Sequence, residues 1–396
     1  MMIPLLRKIL AMNWLLVLTM LALAIFGVYA IESAARHLPN GGEYYAQRQK
    51  VWIIGGCFVF LITALVDYRW IRWLGIPMYL SGLALMILAI YRGSEAHQIS
   101  LGFISFQPTQ LGIAGGIVLM GSLLQDLPRW HAFFRLPYIQ LGVIAVLAGV
   151  PFLIVVAMGD MGSALVWLPV TAVIMLVSGI PYRYMLLIGI VGIGCVALAY
   201  FIILPKASER GAERIELYLA MLNGRDVDIS GYAYAPYWVS TSIGKAGWKG
   251  LGWNASSQRG SLHDKKYIPW KTAHNDFIFG VIGEEQGFRG SLLLLTGYSM
   301  LLIQCLFIAF YSRDSSGRII AAAVVALMFA HIFENIGMCV LLTPITGIPL
   351  PLVSYSGTFI MMIMFLLGLV QSVWVHRNVE IEEDEEIPAE QIRRYS

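Results

Sequence analysis

Residues 12–31 read MNWLLVLTMLALAIFGVYAI, an uninterrupted run of 20 residues without a charged side chain. An α-helix of about 20 apolar residues crosses the roughly 30 Å hydrocarbon core of a lipid bilayer. Arg7 and Lys8 precede the run, as basic residues also precede the apolar core of a secretory signal. Because that core is only about 7–15 residues long, we interpret the run as a first membrane helix that the chain retains.

Comparable apolar runs recur along the chain, and together they decide the fold class. They lie near residues 51–67, 74–92, 109–125, 138–158, 162–180, 184–204, 290–312, 319–342 and 352–376. The chain is 58% hydrophobic and only 13% charged, whereas soluble domains carry about 25% charged residues. Lipid admits only helices or closed barrels, because every backbone polar group must be bonded internally. The sequence therefore predicts an all-α polytopic membrane protein with about ten transmembrane helices.

The basic residues of the short loops predict the orientation of these helices. With the amino terminus in the cytoplasm, ten Lys and Arg residues face inward and four face outward, as the positive-inside rule expects. An even number of helices also puts the carboxyl terminus inside. We therefore expect a membrane domain over residues 1–376 and a cytoplasmic acidic tail over residues 377–396. The run EIEEDEE, which starts at Glu380, is typical of a solvated tail.

One long segment, residues 205–275, is too polar to cross the bilayer. The orientation places it outside, between the seventh and eighth helices, as a large extracytoplasmic loop. It contains ten Lys and Arg residues against six Asp and Glu residues. Long ordered loops are usually functional, and a basic loop beside a bilayer favours an anionic, lipid-linked ligand.

Asp276 stands where this polar loop ends and apolar sequence resumes with Phe277, Ile278 and Phe279. A carboxylate with such neighbours is partly desolvated, which raises its pKa toward the value of an effective general base. Asp is also a favoured residue at the N-cap of a helix. The residues alone leave both interpretations of Asp276 open.

Three further carboxylates allow a structural and a functional interpretation. Glu284 and Glu285 precede Arg289 at spacings that permit helical ion pairs. Asp160 lies in MGDMGS, between two predicted helices, where an Asp between glycines commonly forms a turn. Ionisable residues near the membrane interior are nevertheless candidates for function.

Two glycine-rich stretches follow different patterns. Residues 243–253, IGKAGWKGLGW, interleave glycines with Lys245 and Lys249, and exposed N–H groups with ammonium groups can hold a phosphate. Residues 335–358 contain three prolines, which interrupt helices. Broken helices at membrane depth are tolerated where they line a cavity or are buried in protein, so we expect this stretch to line a pocket.

Several other functions are not indicated. The sequence has no P-loop, dinucleotide fingerprint, HExxH motif or GxSxG motif, and nothing in it predicts a nucleic-acid partner. The four cysteines lie in apolar runs without CxxC spacing, which favours packing over metal binding.

Five motifs carry a resemblance to a known family. They are FQPTQ (106–110), GDMG (159–162), SIGKAGWKGLGW (242–253), HNDFIFGVIGEEQG (274–287) and NIGM with TGIPLPLVSYSG (335–357). In these motifs and in their order the sequence resembles the SEDS family of shape, elongation, division and sporulation proteins. The last motif is more similar to the RodA branch than to the FtsW branch.

The resemblance implies a fold and an activity. The fold would have ten helices, with the extracytoplasmic loop between helices seven and eight, in the cytoplasmic membrane of a bacterium. The activity would be a peptidoglycan glycosyltransferase that polymerises lipid II into glycan strands during cell elongation, with inversion at the anomeric carbon. The implied partners are a class B penicillin-binding protein and other membrane proteins of the elongation complex. A divalent cation, Mg or Mn, is a family possibility.

The resemblance also nominates site residues. The family's essential Asp falls on Asp276, with the implied role of general base. A diphosphate leaving group needs positive charge, which makes Lys245, Lys249 and Lys271 candidates on physical grounds. The further candidates for substrate binding are Asp160, His274, Glu284, Glu285, Asn335 and Ser354.

The chain departs from the family pattern at several positions. Gln110 and Ile113 replace a usual Glu and Lys, so an intramembrane ion pair is lost with both partners together. Trp238 stands in place of a usual Gln, Asn275 in place of Thr, and Ser356 in place of Gly. Two other functions therefore stay open, a flippase for the lipid-linked precursor and a scaffold of the elongation complex with little activity.

Overall fold

The computed structural model describes residues 2–92, 99–100, 105–184 and 231–377, together with single positions between 186 and 223. Helices within the continuous ranges are α1 Met2–Leu10, α2 Trp14–Ala34, α3 Gly41–Leu65, α4 Tyr68–Ile71, α5 Gly75–Arg92, α6 Pro108–Trp130, α7 Pro137–Met158, α8 Met161–Val177, α9 Tyr234–Ala246, α10 Ile278–Phe310, α11 Ser315–Cys339 and α12 Gly357–Val375. Apart from short 3-10 turns, these ranges also hold one small antiparallel ladder, Ile99–Ser100 against Ser105–Phe106.

These helices confirm the all-α polytopic membrane class. In the described part of the chain, eight helical stretches are long and apolar enough to cross a bilayer, and α4 with α5 forms one of them. α8 is a shorter apolar helix of 17 residues. Most of the predicted helix near 184–204, the loop before residue 231 and the tail after residue 377 lie outside the described residues. The total of ten helices, the place of the loop and the nature of the tail stay predictions.

Two helices begin well before the apolar runs that predicted them. α3 begins at Gly41 and α10 begins at Ile278, whereas the runs begin near residues 51 and 290. Hydropathy detects the part of a helix that lipid surrounds. It does not detect a polar part of the same helix that extends beyond the bilayer. α10 also bends at Gly287, which has φ 66° and ψ −162°, just before its apolar part.

The centre of the bundle is formed by α6 and α11. Most of each helix is buried, whereas α7 exposes most of its surface, as expected for a lipid-facing helix. α5 and α6 approach each other through Gly82 and Gly112, since a Cβ atom on Gly82 would lie 2.6 Å from the Gly112 backbone. Small residues permit such close packing of membrane helices.

A non-helical segment, residues 340–356, separates α11 from α12. The prediction that its prolines interrupt the helix is confirmed. Leu341 and Leu352 adopt positive φ values of 64° and 66°, a conformation that costs non-glycine residues about 1–2 kcal/mol. The segment folds back against the turn that contains Asp276, and this contact builds the site.

Candidate active site

Asp276 lies at the end of a compact turn that leads into α10. Its backbone N–H donates to the Thr272 carbonyl at 3.0 Å, and the Asn275 N–H donates to the same oxygen at 3.1 Å. The N-cap of α10 is Phe277, which makes no side-chain cap hydrogen bond. The helix-cap interpretation of Asp276 is therefore wrong, and its carboxylate is free for another role.

Three consecutive carbonyl groups of this turn accept hydrogen bonds from α11 and from the 340–356 segment. The bonds run from Tyr355 N to His274 O at 2.9 Å, from Ser354 Oγ to Asn275 O, and from Asn335 Nδ2 to Asp276 O at 2.8 Å. We call these three bonds the carbonyl clamp. Because the clamp uses only backbone oxygens of the turn, it fixes the backbone at Asp276 without engaging the carboxylate.

Asn335 and Ser354 each hold a second group as well. The Asn335 amide donates to the Ile348 carbonyl at 2.6 Å, and the Ser354 hydroxyl accepts the N–H of Leu350 at 2.8 Å. Both side chains are buried. Their described contacts position the turn and the 340–356 segment, and direct contact with substrate stays a prediction for both.

The Asp276 carboxylate is half-buried and has no hydrogen-bond or ion-pair partner among the described residues. The backbone of Gly347 borders it, since a Cβ atom there would lie 3.7 Å from Asp276 Oδ2. Burial raises the pKa of Asp276 to about 7, because the ionised carboxylate loses hydration and gains no compensating partner. Asp276 can therefore exchange a proton near neutral pH.

His274 lies beside Asp276 in sequence but has a different environment. Its ring is buried, with centroids 5.0 Å from the Tyr45 ring and 5.4 Å from the Tyr355 ring. Burial lowers the pKa of His274 to about 4. At neutral pH it is uncharged, so it adds no positive charge for a phosphate, and its predicted contact with substrate stays untested.

Glu284 binds residues 261–263 rather than Arg289. Its carboxylate accepts hydrogen bonds from the Ser261 hydroxyl at 3.0 Å, from the Leu262 N–H and from the His263 N–H at 3.2 Å. The side chain is only 1% exposed, while Arg289 is exposed. The ion-pair interpretation is wrong, because the carboxylate is turned toward the loop backbone.

Glu285, the next residue, also binds a part of the chain that is distant in the sequence. It accepts a hydrogen bond from the Ser33 hydroxyl at the end of α2. Close by, Arg36 Nη2 lies 3.7 Å from Asp264 Oδ1 and donates to the Ala255 carbonyl at 3.0 Å. The sequence did not predict these contacts of Glu285 and Arg36, because no sequence pattern indicates that residues so far apart in the chain are in contact. A role for Glu284 and Glu285 in substrate binding stays a prediction.

Asp160 is the N-cap of α8, and the start of this helix packs against the 340–356 segment, since a Cβ atom on Gly162 would lie 2.7 Å from the Ile348 side chain. Its Oδ1 accepts the Ser163 N–H at 3.1 Å and its Oδ2 accepts from Gln107 Nε2 at 3.0 Å. Gln110 extends this network by donating to Gln107 Oε1 at 3.0 Å, whereas Ile113 packs in the apolar core. Gln110 thus keeps a polar role where the resemblance leads us to expect Glu, and Asp160 stays a predicted substrate residue.

The predicted cationic residues lie on the surface. Lys245 lies in the last turn of α9, Lys249 follows the helix, and both are exposed, as is Lys271. The Lys271 ammonium lies 5.5 Å from the centre of the Trp270 ring. These lysines are accessible to an anionic ligand, and the structure does not join them into one cluster with Asp276.

A divalent cation would need oxygen ligands. Within the described residues, no three His, Cys, Asp or Glu side chains converge to hold a metal ion. Mg²⁺ is commonly held by one or two carboxylates together with substrate phosphates, an arrangement that Asp276 fits without such a cluster. Mg or Mn therefore stays a prediction.

Sequence comparisons identify relatives over nearly the whole chain. The family model for FtsW, RodA and SpoVE proteins, described as cell cycle protein, matches residues 10–379. Peptidoglycan glycosyltransferase MrdB of Escherichia coli K12 is 28% identical over 373 residues, which cover 92% of this chain and 94% of MrdB.

Two solved structures share the fold. One is a chain from a structure described as the structural coordination of polymerization and crosslinking by a peptidoglycan synthase complex. It has a TM-score of 0.75 at 24% identity and covers 94% of this chain and 100% of that chain. The rod shape determining protein RodA of Thermus thermophilus has a TM-score of 0.65 at 24% identity and covers 94% and 99%. At this identity the two structures establish the fold alone.

Proposed function

This chain belongs to the FtsW, RodA and SpoVE family of cell cycle proteins, and we propose that it is a peptidoglycan glycosyltransferase of cell elongation. Its relative MrdB carries the name of that activity. The proposed substrate is lipid II, a disaccharide peptide on undecaprenyl diphosphate. The proposed product is a linear glycan strand that lengthens by one disaccharide in each cycle.

Asp276 is the proposed general base of this reaction. Its carboxylate takes the proton of the acceptor sugar's 4-hydroxyl as that oxygen attacks the anomeric carbon of the donor. The new glycosidic bond forms as the bond to the diphosphate breaks, and undecaprenyl diphosphate leaves with the electron pair. Attack from the face opposite the leaving group inverts the anomeric carbon, and no covalent sugar–enzyme intermediate is needed.

One observation carries this proposal. The carbonyl clamp fixes the backbone at Asp276, while the carboxylate has no partner among the described residues. A general base needs a defined position, access to its substrate and a pKa near the working pH. The raised pKa of about 7 meets the third requirement.

The leaving diphosphate requires positive charge, because it is already anionic and gains one further negative charge as its bond to the sugar breaks. We propose Lys245, Lys249 and Lys271 for this role, supported by their exposure. The proposed arrangement places the site on the extracytoplasmic side of the bacterial cytoplasmic membrane. Both chain termini are then in the cytoplasm, with residues 377–396 as a soluble tail.

A class B penicillin-binding protein is the proposed partner, together with other membrane proteins of the elongation complex. The support is the similarity to a chain whose structural description couples polymerization with crosslinking in one complex. A crosslinking partner would act on the strands that this site releases.

Incubation of the purified protein with fluorescent lipid II tests the proposed activity. We expect polymeric strands on a gel. If the protein alone makes none, we expect strands once the penicillin-binding partner is added. Transport of labelled lipid II across liposomes without any strands would favour a flippase instead. Absence of both activities with the partner present would favour a scaffold.

We expect the rate of strand formation to fall as the pH is lowered through about 7. Burial raises the pKa of Asp276, so below this pH the group is protonated and cannot accept the proton of the acceptor hydroxyl. Above this pH it is ionised, and the rate reaches a plateau. Measurement of kcat/KM from about pH 5 to about pH 9 reports the ionisation in the free enzyme. A rate independent of pH over this range would contradict the role of Asp276 as base.

A further inference from the structure

Five aromatic residues and two lysines gather on the outer surface of the loop. The Trp238 and Tyr267 rings are stacked, with centroids 4.3 Å apart and planes at 22°. Tyr237 meets Trp238 edge-on at 5.1 Å, and Tyr234 lies 6.4 Å from it. Nearby, the ammonium groups of Lys266 and Lys271 each lie 5.5 Å from the centre of the Trp270 ring. We call this surface, formed by Tyr234, Tyr237, Trp238, Tyr267, Trp270, Lys266 and Lys271, the Trp238 platform.

The backbone beneath Tyr267 is held in place from α10. Glu284 binds the N–H groups of Leu262 and His263, and these two residues in turn accept the N–H groups of Tyr267 and Lys266 at 2.9 Å each. Lys266 adopts a positive φ of 62°, which costs a residue with a Cβ atom about 1–2 kcal/mol. Strained conformations that a structure maintains are concentrated at functional sites.

The Trp238 platform borders the turn of Asp276. Val239, next to Trp238, packs against Gly280 at the start of α10, where a Cβ atom would lie 2.7 Å from the Val239 side chain. Trp270 lies two residues before Thr272, whose carbonyl accepts the Asp276 N–H at 3.0 Å. The Trp238 platform therefore adjoins the turn that carries Asp276.

The composition of the Trp238 platform differs from that of the lipid-facing surfaces. On α10, the surface exposes Leu293, Ile303 and Phe310 at 72%, 58% and 79%. On the platform, Tyr267 is exposed at 38%, while the neighbouring Leu262 and Ile268 are buried. Aromatic faces with hydroxyl edges and ammonium groups, without exposed aliphatic side chains, suit a ligand that is itself amphipathic and hydrated.

We propose that the Trp238 platform binds the sugar rings of the glycan strand next to the catalytic site. This inference rests on the proposed function and names the surface that would hold the strand between successive additions. The C–H face of a hexopyranose carries slight positive charge and packs against the negative face of an aromatic ring. Lys266 is exposed and would bind the carboxylates of the strand's peptides.

Binding of soluble, uncrosslinked glycan-strand fragments to the full-length protein in nanodiscs tests this proposal. We expect Trp238→Gln to weaken binding about tenfold, because the C–H face of a sugar ring loses its packing against an aromatic side chain. Tyr267→Ala is a second variant that removes the other half of the stack. Trp248→Gln is the matched control, because Trp248 is a 62% exposed aromatic residue of the same loop that is not part of the platform.

In polymerisation reactions with lipid II, we expect Trp238→Gln to release shorter strands than the wild type at equal substrate consumption. Equal affinity for the fragments in wild type, Trp238→Gln and Tyr267→Ala would overturn the inference, even if the wild type polymerises lipid II. Quenching of the protein's fluorescence by brominated lipids that is weaker in Trp238→Gln than in the wild type would also overturn it, because the platform would then lie in the bilayer interface. A third outcome is that the wild type binds the fragments more tightly than Trp238→Gln does but makes no strands. That result would support a glycan-binding surface and reject the proposed activity.

Discussion

Asp276→Asn is expected to lower the rate of strand formation about 10²–10⁴-fold, the range that a positioned general base contributes. The variant keeps the size and shape of the side chain but removes its ability to accept the proton. The carbonyl clamp binds the main-chain oxygens of residues 274–276, so the turn is expected to persist. Strand formation from fluorescent lipid II, with and without the penicillin-binding partner, measures the effect.

Two controls separate loss of the base from loss of the fold. Glu43→Gln changes an exposed carboxylate at the start of α3 and is expected to retain activity.

The second control is the stability of Asp276→Asn itself. Burial raises the pKa of Asp276 from 3.8 to about 7, so the folded wild type loses stability as the pH rises through this interval, at about 1.4 kcal/mol for each pK unit. The Asn variant has no such loss, and its unfolding temperature relative to the wild type is expected to be higher at pH 8 than at pH 4. A variant that polymerises at the wild-type rate would refute the mechanism.

Gly287→Ala is expected to destabilise the protein severely, by more than the roughly 1–3 kcal/mol of an ordinary strained backbone position. Gly287 combines a φ of 66° with a ψ of −162°, a region that is essentially restricted to glycine. A Cβ atom there would also collide with the backbone N of Gly250 and would lie 2.8 Å from the Gly247 carbonyl oxygen. Backbone atoms cannot move aside as the end of a flexible side chain can, so the loop and α10 would separate.

Gly247→Ala provides a matched control for this variant. Gly247 has nearly the same conformation, with φ 62° and ψ −150°, but a Cβ atom there would meet no atom within 4 Å. The difference between the two variants therefore isolates the collision from the backbone strain. Thermal unfolding of the purified variants in detergent measures both, and equal losses of stability would contradict the close contact between the loop and α10.

The membrane helices were predictable because lipid acts on local sequence. An apolar run such as residues 12–31 has to be helical wherever it lies in the bundle. The position of Asp276 at the border between polar and apolar sequence was informative for the same reason. The apolar environment of Asp276 follows from its neighbours in the sequence. The interruption of the helix follows from Pro344, Pro349 and Pro351 themselves.

The contacts that build the site could not be predicted in this way. Glu284 has Arg289 within reach along its own helix, yet it binds the Ser261 hydroxyl and the backbone N–H groups of Leu262 and His263, which lie 21 to 23 residues earlier. Asn335 reaches the Asp276 carbonyl across 59 residues. In both cases a buried polar group takes the partner that the tertiary fold supplies, and helical spacing has no influence on that choice.

The carbonyl clamp has a consequence for how this sequence can evolve. Its three acceptors are main-chain oxygens, which every amino acid supplies, whereas two of its three donors are the side chains of Asn335 and Ser354. Substitutions can accumulate beside the Asp276 carboxylate without loosening the turn, and Asn275, where the family resemblance leads us to expect Thr, is one such change. Selection is therefore expected to act more strictly on two side chains remote in the sequence than on the immediate neighbour of Asp276.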